Sequence, residues 1–199
     1  MLILSGTDFS NAADTAALVA AKIASALGAN LRLVSVVPPA ANDEPLTHTL
    51  AADADDLMAA APDVADLQTA ILRGDDTART ITRHAAHVHA DLVVIGARGA
   101  SATSDTVGRV AERVVADAGV PTLVVQDAES LLRWLDRKEN LRVLVSASLK
   151  PSQDAAIELV GRLRTVAPCD VTALHVAFPP DDEALVDPRR PRAVPLDRK

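Results

Sequence analysis

The chain has 199 residues, 49% of them hydrophobic, and a formal charge of -7, enough to bury one substantial core but leaving too short a remainder for a second domain of ordinary size. The acidic balance and the scarcity of aromatics (Trp134, Phe9 and Phe178) exclude a non-specific nucleic-acid surface and base-stacking platforms. Cys169 is the sole cysteine, which excludes an internal disulfide and a cysteine metal site, and no apolar run reaches membrane-spanning length, so a soluble cytoplasmic protein without membrane partners is expected.

Met1-Leu2-Ile3-Leu4 is apolar but lacks the basic flank of a signal peptide. Leu2 to Thr7 reads instead as a buried strand, turned by Asp8-Phe9-Ser10 into a helix from Ala12 to Leu27, where Ala and Leu recur at helical spacing. Gly28 closes that helix, and Leu31 to Val37 is the next strand, ended by Pro38-Pro39. The crossover makes these strands parallel. A loop from Ala40 precedes an alanine-rich helix around Thr49 to Ala60, then a strand from Ala65 to Leu72. Asp75 or Asp76 caps a helix from Thr77 to His89. Asp91 to Ile95 is the fourth strand, Val107 to Ala118 a helix stopped by Gly119, and Pro121 to Val125 the fifth strand. This alternation predicts a parallel sheet covered on both faces.

Beyond residue 127 a linker helix is expected from Glu129 to Lys138, inside a segment 128–139. The opening grammar then returns over 140–178 as strand Leu141 to Val145, helix Ser152 to Leu163 and strand Val171 to Val176. That order and spacing is the signature of an internal duplication that stops after one βαβ unit. A half sheet exposes an edge and should dock on the first domain or on another chain. Residues 179–199 are rich in proline and in charges of both signs and read as an extended tail.

Gly96-Ala97-Arg98-Gly99 follows the buried fourth strand, and Gly108 precedes the next helix. A strand feeding a glycine-rich turn leaves backbone N–H groups near a helix start, which is how phosphate is commonly held. Asp8 has two readings, orienting a ribose or accepting backbone N–H groups to start the first helix. Ser101, Thr103, Ser104 and Thr106 could supply a phosphate-binding hydroxyl or form an ordinary polar loop. His84 and His87 lie one helical turn apart but lack a further ligand, so packing histidines are expected and no metal site is assigned. Cys169 reads as a partly buried thiol rather than a redox sensor.

The segments Leu4-Ser5-Gly6-Thr7-Asp8-Phe9-Ser10, Val34-Ser35-Val36-Val37, Ala90 through Gly99, Gly108 through Val115 and Val120 through Val125 occur in an order that resembles the universal stress protein (UspA-like) family in its tandem form. The resemblance covers Met1 to Gln126. It implies a Rossmann-like (adenine nucleotide alpha hydrolase-like) α/β fold, a five-stranded parallel sheet with helices on both faces, to which this chain adds the partial βαβ repeat. It further implies that Asp8 lies near a ribose, that Val36 meets adenine through its backbone beside Ile95, and that Gly96, Gly99, Gly108, Arg109 and Val110 surround phosphates; Arg98 is a further binding candidate that could neutralise phosphate charge. ATP-binding members carry Gly, two residues, Gly, nine residues, Gly, then Ser or Thr. Here eight residues separate Gly99 from Gly108, and Arg109 stands at the hydroxyl position. Arginine also pairs with phosphate, from a longer arm.

The residues show no paired general acid and base, so no catalytic residue is assigned. The expected function is a stress-response module that binds ATP with Mg2+ or a related adenine nucleotide and acts as a homodimer or higher homo-oligomer, the fifth strand pairing between copies. A weak Mg-dependent ATPase and a nucleotide-free interaction protein are the alternatives.

Overall fold

The computed structural model describes residues 1–99, 107–146 and 154–175. The loop hydroxyls within 101–106, the start of the expected helix at Ser152, the end of the expected strand at Val176 and the tail 179–199 therefore lie outside the described residues. The first unit runs β1 (Leu2–Thr7), α1 (Asn11–Leu27), β2 (Asn30–Val37), α2 (Glu44–Ala60), β3 (Asp66–Arg73), α3 (Thr77–His87), β4 (Leu92–Gly96), α4 (Arg109–Asp117) and β5 (Thr122–Val125). Its five strands form one parallel sheet in the order β3-β2-β1-β4-β5. The alternation predicted a parallel sheet covered on both faces and the family resemblance a Rossmann-like five-stranded one, and the structure has both.

Each face of the sheet carries its own apolar cluster. Ile3, Leu31, Leu33, Leu92 and Val94 pack under α1 and α2, whereas Leu4, Val34, Val93 and Ile95 pack under α3 and α4. Strands buried on both sides need continuous apolar runs, which is why β4 reads Leu92-Val93-Val94-Ile95 without alternation. The buried face of α1 is mostly alanine (Ala13, Ala16, Ala17, Ala20, Ala21 and Ala24), so this helix lies close to β1 and β4.

Local chemistry sets the helix ends. Ser10 caps α1, its hydroxyl accepting the N–H of Ala13 at 3.3 Å. α2 begins at Glu44 rather than near Thr49, because Pro45 falls in the first turn, where no N–H is needed. The loop before it is pinned to the end of β3: Arg73 donates to the Pro39 and Ala41 carbonyls at 2.9 and 3.1 Å and pairs with Asp43 at 2.6 Å. Asp76 is the acid that caps α3, accepting the N–H of Arg79 at 3.1 Å, and it also pairs with Arg113 of α4 at 2.8 Å. α3 ends at His87, two residues short of the expected His89.

The second unit follows as α5 (Glu129–Leu135), β6 (Leu141–Ser146), α6 (Asp154–Val166) and β7 (Cys169–Leu174). β6 and β7 form a separate two-stranded parallel sheet. It docks on the first unit through helices. Leu159 and Leu163 of α6 join the α1-side core, while Trp134 of α5 is fully buried and donates its indole N–H to the Pro168 carbonyl at 3.1 Å. Lys22 of α1 contacts Asp136 at 2.6 Å and Lys138 contacts it at 2.9 Å, and these two bonds hold that carboxyl at about 2. Burial pushes the Cys169 thiol up, as expected of a packing cysteine.

Two helices close by the same hydrogen-bond pattern with different residues. After α1, Ala29 N–H donates to the Ala24 carbonyl at 2.8 Å across Gly28, whose φ is +59°. After α3, Ala90 N–H donates to the Ala85 carbonyl at 2.9 Å across His89, whose φ is +52°. A left-handed residue with a Cβ costs about 1 kcal/mol or more. His89→Gly is therefore expected to stabilise the protein by roughly 1 kcal/mol, less the added freedom of the unfolded chain, read as a rise in melting temperature.

Candidate functional site

In an open α/β sheet the crevice lies at the carboxyl ends of the strands, where the strand order reverses. Here that point falls between β1 and β4, the two strands from which the sheet grows in opposite directions. A cleft of about 490 Å³ opens there, within the size range of small-ligand sites. The structure brings all nine sequence-derived candidates to its walls: Asp8, Val36, Ile95, Gly96, Arg98, Gly99, Gly108, Arg109 and Val110.

The β1 side is built by the turn into α1. Asp8 Oδ1 accepts from the backbone N–H and the hydroxyl of Ser10, at 3.2 and 2.6 Å. Phe9 adopts φ +61°, a left-handed conformation that bulky residues rarely take, with its N–H donating to Thr7 Oγ1 at 3.0 Å and its ring on the α1-side core. Asp8 thus helps start α1 while its carboxylate borders the cleft, so the two readings of this residue are compatible.

The β4 side is built by a closed loop. Ala97 N–H continues the ladder to the Val125 carbonyl at 2.8 Å, and Gly108 N–H returns to the Ala97 carbonyl at 2.7 Å. The Gly108 N–H is therefore engaged by protein. Gly108 caps α4 without a side chain, and the first helical bond is Glu112 N–H to the Gly108 carbonyl at 3.0 Å. The N–H groups of Arg109, Val110 and Ala111 precede any carbonyl four residues back within the helix, and all three residues line the cleft. With Arg98 and Arg109 alongside, and the positive end of the α4 dipole behind them, this end of the cleft is suited to an anion. The opposite walls are apolar, formed by Val34, Val36, Ile81 and Ile95.

Thr77, the first residue of α3, also lines the cleft with Ile81 one turn on. Neither was among the expected site residues. The signal lay in Asp76, because a cap at a helix start after a parallel strand puts the next residue at the carboxyl end of the sheet.

The histidines lie away from the cleft walls. His84 on α3 has a buried Nε2 without a hydrogen-bond partner, and burial, then Arg32 and His87, lowers its pKa. Among the described residues, no three metal-ligating side chains converge.

The family model described as the universal stress protein family matches residues 1–126. The chain belongs to that family. Among solved structures, the universal stress protein UspA from Lactobacillus plantarum is 31% identical, with a TM-score of 0.50, over 62% of this chain and 96% of that one. A universal stress protein from Archaeoglobus fulgidus is 26% identical, with a TM-score of 0.53, over 62% of this chain and 97% of that one. The Archaeoglobus fulgidus protein in complex with dAMP is 25% identical, with a TM-score of 0.52, over 62% of this chain and 96% of that one. Among proteins with curated descriptions, none matches the chain.

The family glycines play different physical parts here. None of Gly96, Gly99 and Gly108 has a left-handed φ, so unusual dihedrals are not what they supply. A Cβ on Gly96 would lie 2.9 Å from the Ala12 carbonyl oxygen and 3.2 Å from Ala13 N, both backbone atoms of α1. A Cβ on Gly99 would lie 2.6 Å from Asp8 Oδ2, the movable end of a side chain. A Cβ on Gly108 would meet the Ala97 carbonyl at 3.4 Å, an ordinary contact. Gly96→Ala is expected to destabilise the fold by about 1–3 kcal/mol through overpacking against α1. Gly99→Ala should stay within about 1 kcal/mol of the parent, because Asp8 can turn away; denaturant titration of both variants checks the contrast.

Proposed function

We propose that this chain is a non-enzymatic stress-response module that binds an adenine nucleotide in the β1/β4 cleft and acts through contacts between copies. The observation that carries the reading is the meeting, at the switch point of the sheet, of an uncapped α4 N-terminus with Arg98 and Arg109 across from an apolar wall. Phosphate lies over the N–H groups of Arg109, Val110 and Ala111, which point charge-favourable donors at it. The base lies between Val36 and Ile95, and the Asp8 carboxylate accepts from ribose hydroxyls. The dAMP complex of the Archaeoglobus fulgidus relative supports an adenine nucleotide as the ligand class.

ATP with Mg2+ is one form of that ligand. The cleft fits the phosphates electrostatically, but the described walls hold a single carboxylate, Asp8. A divalent ion would therefore be held chiefly by phosphate oxygens, which is how Mg2+ is commonly bound. When bound, the ion would screen phosphate charge from Asp8. The described walls contain no imidazole, and Asp8 is already engaged by Ser10. A water-activating base is thus not on offer among the described residues, which favours binding over hydrolysis. The edge of β5 is the expected contact between copies, since among the described residues it pairs on one side alone, with β4.

Titration calorimetry with AMP and with ATP, each with and without Mg2+, tests the reading. Saturable binding at one nucleotide per chain is expected, and Arg109→Ala should weaken it by roughly 10- to 100-fold, the worth of a charge-assisted hydrogen bond. Absence of binding by every adenine nucleotide, in a protein that remains folded, contradicts it.

A further inference from the structure

The carboxylate of Asp8 is confined on two sides. One oxygen, Oδ1, accepts the Ser10 hydroxyl at 2.6 Å and the Ser10 N–H at 3.2 Å. The other, Oδ2, stands where a side chain on residue 99 would begin, since a Cβ built on Gly99 would lie 2.6 Å from it. Asp8 and Gly99 line the cleft, whereas Ser10 does not, so whatever the Ser10 side chain does for a ligand it does through Asp8.

The helix that Ser10 caps directs its proton. A hydroxyl has one proton to donate and two lone pairs. The Ser10 oxygen accepts the Ala13 N–H at 3.3 Å, which engages a lone pair with α1 and leaves the proton for Asp8, at the short distance of an O–H donating to a charged acceptor. The backbone of the turn is fixed as well. Phe9 is held at φ +61° by its N–H donating to Thr7 Oγ1 at 3.0 Å and by its ring in the α1-side core. Such a conformation persists only where the surroundings determine it. A carboxylate whose rotamer is set before a ligand arrives gives up little side-chain freedom on binding.

We propose that Ser10 and Gly99 are positioning residues for the Asp8 carboxylate, Ser10 by clamping Oδ1 and Gly99 by leaving room for Oδ2, and that the carboxylate so fixed makes the cleft select nucleotides that carry their ribose hydroxyls. The inference rests on the adenine-nucleotide reading above and adds the residues that set its sugar selectivity. Gly99 serves the site through its missing side chain, and Ser10 through a hydroxyl that starts α1 and orients Asp8 at once.

The test is the ratio of the dissociation constants of dideoxy-AMP, which lacks both ribose hydroxyls, and AMP, measured by titration calorimetry on the full chain with circular dichroism to verify folding. A merely structural role does not move this ratio, because a smaller folded fraction weakens both ligands by the same factor, as does a lost phosphate contact. The parent should favour AMP by about tenfold or more, as expected of a hydrogen bond to a charged group. Ser10→Ala and Gly99→Ala should each lower the ratio by about 2- to 10-fold, since Asp8 must then be ordered on binding, while Ser10→Thr should keep it. Asp8→Ala should bring the ratio near unity and make Ser10→Ala silent on that background. Gly99→Ala carries the test if Ser10→Ala fails to fold. A parental preference that Ser10→Ala and Gly99→Ala leave unchanged overturns the proposal. A parent that binds the two nucleotides equally also overturns it but leaves the cleft a nucleotide site, whereas a parent that binds neither overturns both readings.

Discussion

The close seating of α1 on the centre of the sheet governs the geometry of everything at its carboxyl edge. Alanines along α1 let its backbone descend onto β1 and β4, and Gly96 lets the last residue of β4 pass within contact of Ala12 and Ala13. Two chain segments far apart in sequence are thereby held side by side, the Asp8 turn leaving β1 and the Arg98-Gly99 turn leaving β4. A larger residue at any of these contacts would lift the helix and separate the two walls. Packing and site are therefore one constraint in this region, as close-packed interiors transmit displacement rather than absorb it.

The polar arrangement follows from the same local geometry. Because Gly108 N–H is taken by the Ala97 carbonyl, the glycine closes the loop rather than offering its own donor to a ligand. The donors that remain belong to the first turn of α4, whose start is fixed by that closure. Arg109, at the first helical position, brings full charge to the cleft, where a hydroxyl would add a short neutral bond. Asp76 links the start of α3 to Arg113 of α4, so both helices that flank the cleft are tied at its rim.

Much of this was legible from residues alone. Apolar runs of strand length alternating with helical spacing gave the parallel sheet, and the order of motifs assembled all nine candidate residues at one cleft. Boundaries were less legible where a residue acts against its usual tendency. Pro45 reads as a helix stop but sits in a first turn, and His89 takes a left-handed helix end that normally announces itself with glycine. β7 starts at Cys169 rather than Val171, because Cys169 and Leu141 bury against Trp134, a contact between segments that no local pattern carries. Thr77 and Ile81 were missed as cleft residues for a related reason: their place depends on where α3 crosses the sheet, not on a motif.

The central claim is that phosphate rests on the first turn of α4. The most direct test follows backbone amide resonances in a heteronuclear NMR titration with AMP. The largest shifts are predicted at the N–H groups of Arg109, Val110 and Ala111, with smaller ones at Val36 and Ile95 and none at Val143 or Val171 of the second unit. Saturating nucleotide that leaves the Arg109 to Ala111 amides unmoved, or that shifts residues outside the β1/β4 cleft instead, contradicts the account.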